Sequence, residues 1–219
     1  LGHGQAGLGE VPALRRVPGA RRALGPQRDF HRGHVRHAVG RHISASDWAF
    51  FYRCYEQTYL AHGNAPYLNK AFFAAMAADM PDDWLLFTAE RDGKPIASSL
   101  IAINSSCIST EDQFAKKMRP RVAYGRYWGT LERVDCLHFE ACYYQPLAWC
   151  IANDYVRFEG GAQGEHKLAR ALLPVKTSSA HWLTHPAFAD AVHEFLEAEG
   201  QGVGQYLEQL RQHSPFKSA

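Results

Sequence analysis

Apolar residues take up a helical period at Trp48 and keep it for three turns. Trp48, Phe51, Tyr52, Tyr55 and Tyr59 fall at i, i+3, i+4, i+7 and i+11. Ser44 or Ser46 precedes this stripe as an N-cap, and Asp47 sits at its positive end. His62-Gly63-Asn64 supplies a C-terminal stop, so the pattern predicts a helix over 46–61. Phe72, Phe73 and Met76 predict a second helix over 69–79, closed by Pro81. The period then changes. Trp84 to Glu90 and Pro95 to Ile103 read as strands, and the Asp92-Gly93 pair between them marks a tight hairpin. Residues 104–120 break the pattern with a polar run and read as an inserted surface loop, and Ala123 to Thr130 resumes as a strand.

Leu137, Phe139, Tyr143, Leu147 and Ile151 predict the longest helix, over 137–153. Pro146 lies inside it and removes one backbone donor, so a kink or a late start is expected. Tyr155 to Phe158 reads as a strand, followed by a glycine-rich turn and a short helix from Lys167 to Leu172. Pro174 to Leu183 reads as a further strand, and 186–199 as a last amphipathic helix with a weak helix or tail beyond Gly200. Runs of helix and strand in this order predict a mixed α/β fold, a central sheet flanked by helices.

Composition sets the bounds. The chain has 219 residues, 46% hydrophobic and 12% aromatic, enough for one ordinary core. No apolar run is long enough to span a bilayer, and the N-terminus does not read as a signal peptide. The five cysteines are scattered without a CxxC pair, which argues against a disulfide framework or structural zinc and for reduced thiols in a cytoplasmic protein. Charge is uneven. Residues 1–42 carry eight arginines, no lysine and two acids; the remainder carries sixteen basic residues and twenty acids. Three readings of residues 1–42 are open: a basic arm for nucleic acid or acidic lipid, a disordered tail, or out-of-frame translation of a GC-rich gene. The expected organisation is thus a separate segment 1–42, a folded domain over 43–200 and a tail over 201–219.

The chemistry concentrates in Glu159-Gly160-Gly161-Ala162-Gln163-Gly164-Glu165-His166-Lys167. Glycine supplies the positive φ of a sharp turn, and a turn that opens a helix points free N–H groups outward, where an anion or oxyanion binds. The plainer reading of the same residues is a strand-to-helix connection with a charged first turn. His138-Phe139-Glu140 matches the H-x-E of zinc deaminases, but the P-C-x-x-C that such chemistry needs is missing from the sequence, so no metal site is expected.

Several ordered blocks carry a resemblance. Phe51-Tyr52-Arg53-Cys54-Tyr55, Tyr124-Gly125-Arg126-Tyr127-Trp128-Gly129, Leu137 to Gln145, Phe158 to Arg170 and Thr177 to Trp182 together resemble the FemAB-like family of N-acyltransferases, in the GNAT superfamily, over about residues 46 to 199. The resemblance implies a GNAT-like fold and transfer of an acyl or aminoacyl group to an amine, in peptidoglycan metabolism. Three features depart from the family pattern. Members have two GNAT-like halves, and this chain resembles the C-terminal one. Residues 104–120 interrupt a hairpin that is normally short. Residues 1–42 do not match the segment expected before the first helix. A missing N-terminal half would leave apolar surface uncovered, so aggregation or homodimerisation is expected.

Acyl transfer needs a base for the amine, N–H donors for the oxyanion and groups to hold the carrier. Glu165 and His166 are the candidates for the base. Glu140 and His138, at the start of the long helix, are further catalytic candidates, with Tyr144 one α-helical turn after Glu140. Lys167 and Arg126 suit a carboxylate or phosphate, Gln163 the substrate, and Gly160, Gly161 and Gly164 can present N–H groups. The plain structural roles stay open beside these: Glu140 as a helix-dipole residue, Tyr144 as core, His138 as a packed ring. The donor is open between acyl-CoA and aminoacyl-tRNA. The glycine-rich coenzyme A turn expected before the long helix has no counterpart in Thr130 to Cys136, while the acidic balance beyond residue 42 speaks against tRNA.

Overall fold

The computed structural model describes residues 2–10, 33–104, 120–161, 167 and 172–212. The chain divides into two compact units, Ala13–Phe158 and Leu1–Pro12 with Glu159–Ala219.

The larger unit is built on strands β2 (Gly33–Val39), β3 (Trp84–Arg91), β4 (Lys94–Ile103) and β5 (Val122–Thr130), paired antiparallel in that order. The β3–β4 hairpin turns at Asp92 (φ 51°) and Gly93 (φ 74°). Two consecutive positive φ values define the mirror-image turn whose twist matches the strands, as the Asp-Gly signal predicts. Helix α1 (Ala45–Ala61) starts in a capping box. The Ser44 hydroxyl accepts from the Asp47 N–H at 3.1 Å, and the Asp47 carboxylate accepts from the Ser44 N–H at 3.0 Å. Two of the helix's orphan groups are thereby satisfied. Helix α2 (Lys70–Asp79) is capped by Asn69.

Register decides what each sheet face meets. Ser98 and Gly129 are cross-strand partners, as are Ser99 and Trp128, and successive residues point to opposite faces. The Gly129 face receives α1; the Ser99 face receives the long helix, whose Ala141 carbonyl accepts from the Ser99 hydroxyl at 2.7 Å. Between α1, α2 and the first face lies an aromatic core. Phe51, Tyr55, Phe73 and Tyr127 meet with ring centroids 5.1–6.4 Å apart, in mostly edge-on geometry. Asn104 closes the base of the expected loop: its side chain donates to the Pro120 carbonyl at 2.9 Å and accepts from the Val122 N–H at 2.6 Å. Residues 105–119 lie outside the described residues.

The expected boundary at residue 43 does not coincide with the fold. Gly33–Val39, read from sequence as part of a separate basic segment, is a strand paired with β3 from Gly33↔Arg91 to Val39↔Leu85. Arg36 explains part of its charge. Its guanidinium donates to Glu90 on β3 and, at 2.8 Å, to Asp47 on α1. An arginine that reads as a nucleic-acid contact thus ties an edge strand to its neighbours. Cys54, Cys136, Cys142 and Cys150 are free thiols, and burial pushes those of Cys54 and Cys150 up to about 12.

In the smaller unit, β1 (Gly2–Glu10) pairs antiparallel with β6 (Leu173–Ala180). This places a second strand inside residues 1–42. The last helix, Pro186–Gln212, runs through Gly200, Gly202 and Gly204 and well past the expected end at residue 199. Among the described residues, no helix is long and apolar enough to cross a membrane.

Candidate functional site

The long helix, α3, changes winding twice. It is α-helical over Leu137–Phe139, π-helical over Glu140–Tyr144 and α-helical again over Gln145–Ala152. Pro146 accounts for the change. It has no N–H, so the carbonyl that would receive its bond is left without a backbone partner. In π register that carbonyl belongs to Ala141, five residues back. The fully buried Ser99 hydroxyl, from β4, satisfies it instead. The expected kink at Pro146 is therefore a local π turn, stabilised from the adjacent sheet. π turns occur frequently at functional sites.

The π spacing alters which side chains meet. The Gln145 N–H bonds to the Glu140 carbonyl, and the Gln145 side-chain amide donates to the Glu140 carboxylate at 2.6 Å. Glu140 is therefore held by the residue at i+5, whereas α-helical spacing pointed to Tyr144 at i+4. Both Glu140 and Tyr144 are half-buried. His138 is half-buried in an aromatic nest, its ring 5.5 Å from Trp128, 5.5 Å from Phe139 and 5.6 Å from Tyr143. Leu137 anchors this end of the helix in a cluster with Ala89, Ile96 and Ala97. Cys136, just before the helix, adopts φ 63°, a left-handed conformation that sets the entry angle.

Arg126 lies on β5 at an irregularity. Leu100 pairs with Tyr127 but Ile101 pairs with Gly125, so Arg126 is an extra residue in the ladder. Such a bulge frees a backbone N–H from pairing and redirects a side chain, and bulges concentrate beside active sites. The Arg126 side chain is exposed.

In the smaller unit, Gly161 adopts φ 79°, the conformation for which the glycine-rich turn was singled out. Lys167 is buried at 6% exposure, and its ammonium donates to the Gly161 carbonyl at 3.1 Å. Burial lowers its pKa below the ordinary lysine value. In this geometry Lys167 clasps the two ends of the turn. Gly160 immediately precedes Gly161 and is half-buried. Gln163, Gly164, Glu165 and His166 lie outside the described residues.

His138, Glu140, Tyr144 and Arg126 thus belong to the larger unit, and Gly160, Gly161 and Lys167 to the smaller. Gln145, Ser99 and Trp128 were not assigned a site role from sequence. Pro146 was the available signal, together with the Ser98-Ser99 pair inside an otherwise apolar strand. Among the described residues, no group of three His, Cys, Asp or Glu side chains is placed to hold a metal ion.

Comparison with known proteins gives a family match. Residues 21–218 match the FemAB-like family, described as peptidoglycan biosynthesis/recognition. No curated protein sequence matches the chain. Among solved structures, the C-terminal domain of a protein named as a lysylphosphatidylglycerol synthetase from Agrobacterium fabrum is 12% identical over 78% of this chain and 51% of its own, with TM-score 0.48. A GCN5-related N-acetyltransferase from Ralstonia eutropha JMP134 is 13% identical over 70% and 99%, with TM-score 0.42. An acetyltransferase from Clostridium acetobutylicum, solved with acetyl-CoA, is 15% identical over 57% and 78%, with TM-score 0.38.

Proposed function

The chain belongs to the FemAB-like family, and on that premise we propose that it is an N-acyltransferase, moving an acyl or aminoacyl group from a carrier to an amine acceptor in peptidoglycan metabolism. The observation that carries the reading is the π turn. It holds a half-buried carboxylate, Glu140, in a fixed orientation through Gln145. An ammonium acceptor must lose a proton before its nitrogen attacks, and a positioned carboxylate is the group that takes it. The attack forms the new C–N bond, the carrier's bond to the acyl carbon breaks, and the carrier leaves with its electron pair. Glu165 and His166 are the rival candidates for the base. Tyr144 and His138 suit contact with the acceptor. Arg126, exposed on its bulge, suits a carboxylate or phosphate. Within the smaller unit by itself, Gln163 and the N–H groups of Gly160, Gly161 and Gly164 suit an anion. Lys167, turned onto a backbone carbonyl, serves the turn first.

Acyl-CoA is the preferred carrier, because the sequence beyond residue 42 is acidic and tRNA binding favours a basic surface. The test is transfer of labelled acyl groups from acyl-CoAs, and of aminoacyl groups from charged tRNA, to muropeptide amines. Label in the muropeptide with one donor class supports the reading and identifies the carrier. A second reading, a non-catalytic recognition module, draws on the family's description, which couples biosynthesis with recognition. Saturable muropeptide binding with no transfer from any donor would favour it.

A further inference from the structure

Away from the π turn, the larger unit has a cleft of about 940 Å³ between α1, α2 and the turn that precedes α1. We infer that this cleft is a binding site for a single-chain aliphatic anion, with its chain between the helices and its carboxylate or phosphate head on Arg53 and Lys70.

Three observations lead there. The first is shape. Ala45 and Ala49 on α1 face Ala74 and Ala77 on α2 across the cleft, and small side chains leave the space open. The floor is aromatic and aliphatic, with Tyr52 and Phe73 both buried. From Ala45 to Arg53 the helix rises about 12 Å, so the trough is elongated. The second is charge. Among the described residues, no acid lines the cleft. Arg53 and Lys70 both line the cleft, with the Lys70 ammonium 5.3 Å over the Tyr52 ring and the Arg53 guanidinium 5.3 Å over the Phe50 ring. Their heads are exposed, and among the described residues neither is in an ion pair. Arg41, also in the lining, is different: Asp82 holds it at 3.1 Å. The third is the shortage of polar partners. The Ser46 hydroxyl is engaged with that of Ser44 at 2.8 Å. A peptide or nucleotide would bury groups that this lining does not satisfy, whereas an alkyl chain loses nothing there.

The test uses the full chain and decyl phosphate, decanoate, decylamine and inorganic phosphate as probes, each below its micelle-forming concentration, read by calorimetry and melting temperature. Saturable binding of decyl phosphate and decanoate is expected, with none for decylamine or inorganic phosphate. Arg53→Gln with Lys70→Gln is expected to weaken decyl phosphate about tenfold or more. Ala74→Trp, at an exposed helix position that lines the cleft, is expected to abolish binding while the protein still melts cooperatively. Binding of decylamine as tight as that of decyl phosphate, or full binding by folded Ala74→Trp, overturns the inference. Phosphatidylglycerol vesicles separate the sources. Co-sedimentation that requires Arg53 and Lys70 points to a bilayer lipid, and binding of the monomeric probes alone points to a soluble acyl anion. None of these readouts requires acyl transfer, so the inference and the proposed activity fail separately.

Discussion

Adding one methyl group at Gly129 should strongly destabilise the larger unit. A Cβ there would lie 1.9 Å from the Cys54 carbonyl oxygen, 2.2 Å from its carbon and 2.8 Å from the Tyr55 nitrogen. All three are backbone atoms of α1, so no rotamer change can relieve the overlap. The helix must lift off β5 by more than an ångström to restore ordinary contact. That movement breaks the Thr58 hydroxyl bond to the Trp128 carbonyl, 3.1 Å long, and loosens Tyr55 and Phe51 from Tyr127. Overpacking a close-packed core costs about 1–3 kcal/mol, and displacement of the helix that carries the aromatic cluster puts this case at roughly 3 kcal/mol or more. The control is the same chemical change in open space. Gly202 lies within the last helix, and a Cβ there meets nothing within 4 Å, so Gly202→Ala should stabilise by about 0.5–1 kcal/mol. Urea unfolding followed by tryptophan fluorescence measures both. The Gly129→Ala midpoint should fall with an unchanged slope. A Gly129→Ala protein within about 0.5 kcal/mol of the parent would refute the close approach of α1 to β5.

Three further outcomes follow from the geometry. Ser99→Ala should cost about 1–3 kcal/mol by orphaning the buried Ala141 carbonyl, and Pro146→Ala should recover part of that loss by restoring a backbone donor; additive effects in a double-mutant cycle would contradict the pairing. Arg36→Met should cost about 1–3 kcal/mol, because it removes the guanidinium that bridges Glu90 on β3 and Asp47 on α1; hydrogen exchange should show β2 opening first, and unchanged β2 protection would count against this. Burial pushes the Asp47 pKa up, but hydrogen bonds from Ser44 and Arg36 outweigh it and hold it below the ordinary carboxylate value. A lowered pKa contributes stability that is complete above the unfolded value and is lost as pH falls through the folded one, so Asp47→Asn should flatten the acid limb of a stability–pH curve and leave its slope near neutrality alone.

What the sequence discloses and what it hides follow from the range of the interactions. The Ser44–Asp47 cap, the stop at Gly63 and the Asp92-Gly93 turn are local, set by residues within a few positions of each other, and each is found where expected. Strands β1 and β2 are not local. Gly2–Glu10 and Gly33–Val39 lack a clean apolar alternation, and their partners lie more than 40 residues away. Pro146 announced a disturbance, but its form depends on Ser99, on another strand, and the resulting π spacing replaced Tyr144 by Gln145 as the residue that meets Glu140. The requirement for glycine at 129 depends in the same way on a helix seventy residues earlier. Of the candidate site, Gly161 and its positive φ were legible from the turn chemistry. The engagement of Lys167 with the Gly161 carbonyl was not, because a lysine in a charged stretch reads as exposed.

The most direct test of the central claim is single-turnover transfer of a labelled acyl group to a muropeptide amine by the parent chain, Glu140→Gln and Glu165→Gln, with melting temperatures measured alongside. The account predicts transfer by the parent and a loss of about 10²-fold or more in Glu140→Gln at an unchanged melting temperature. Full-rate transfer by Glu140→Gln, with the loss confined to Glu165→Gln, would contradict the assignment of the base to the π turn. Absence of transfer from every donor by the folded parent would contradict the activity itself.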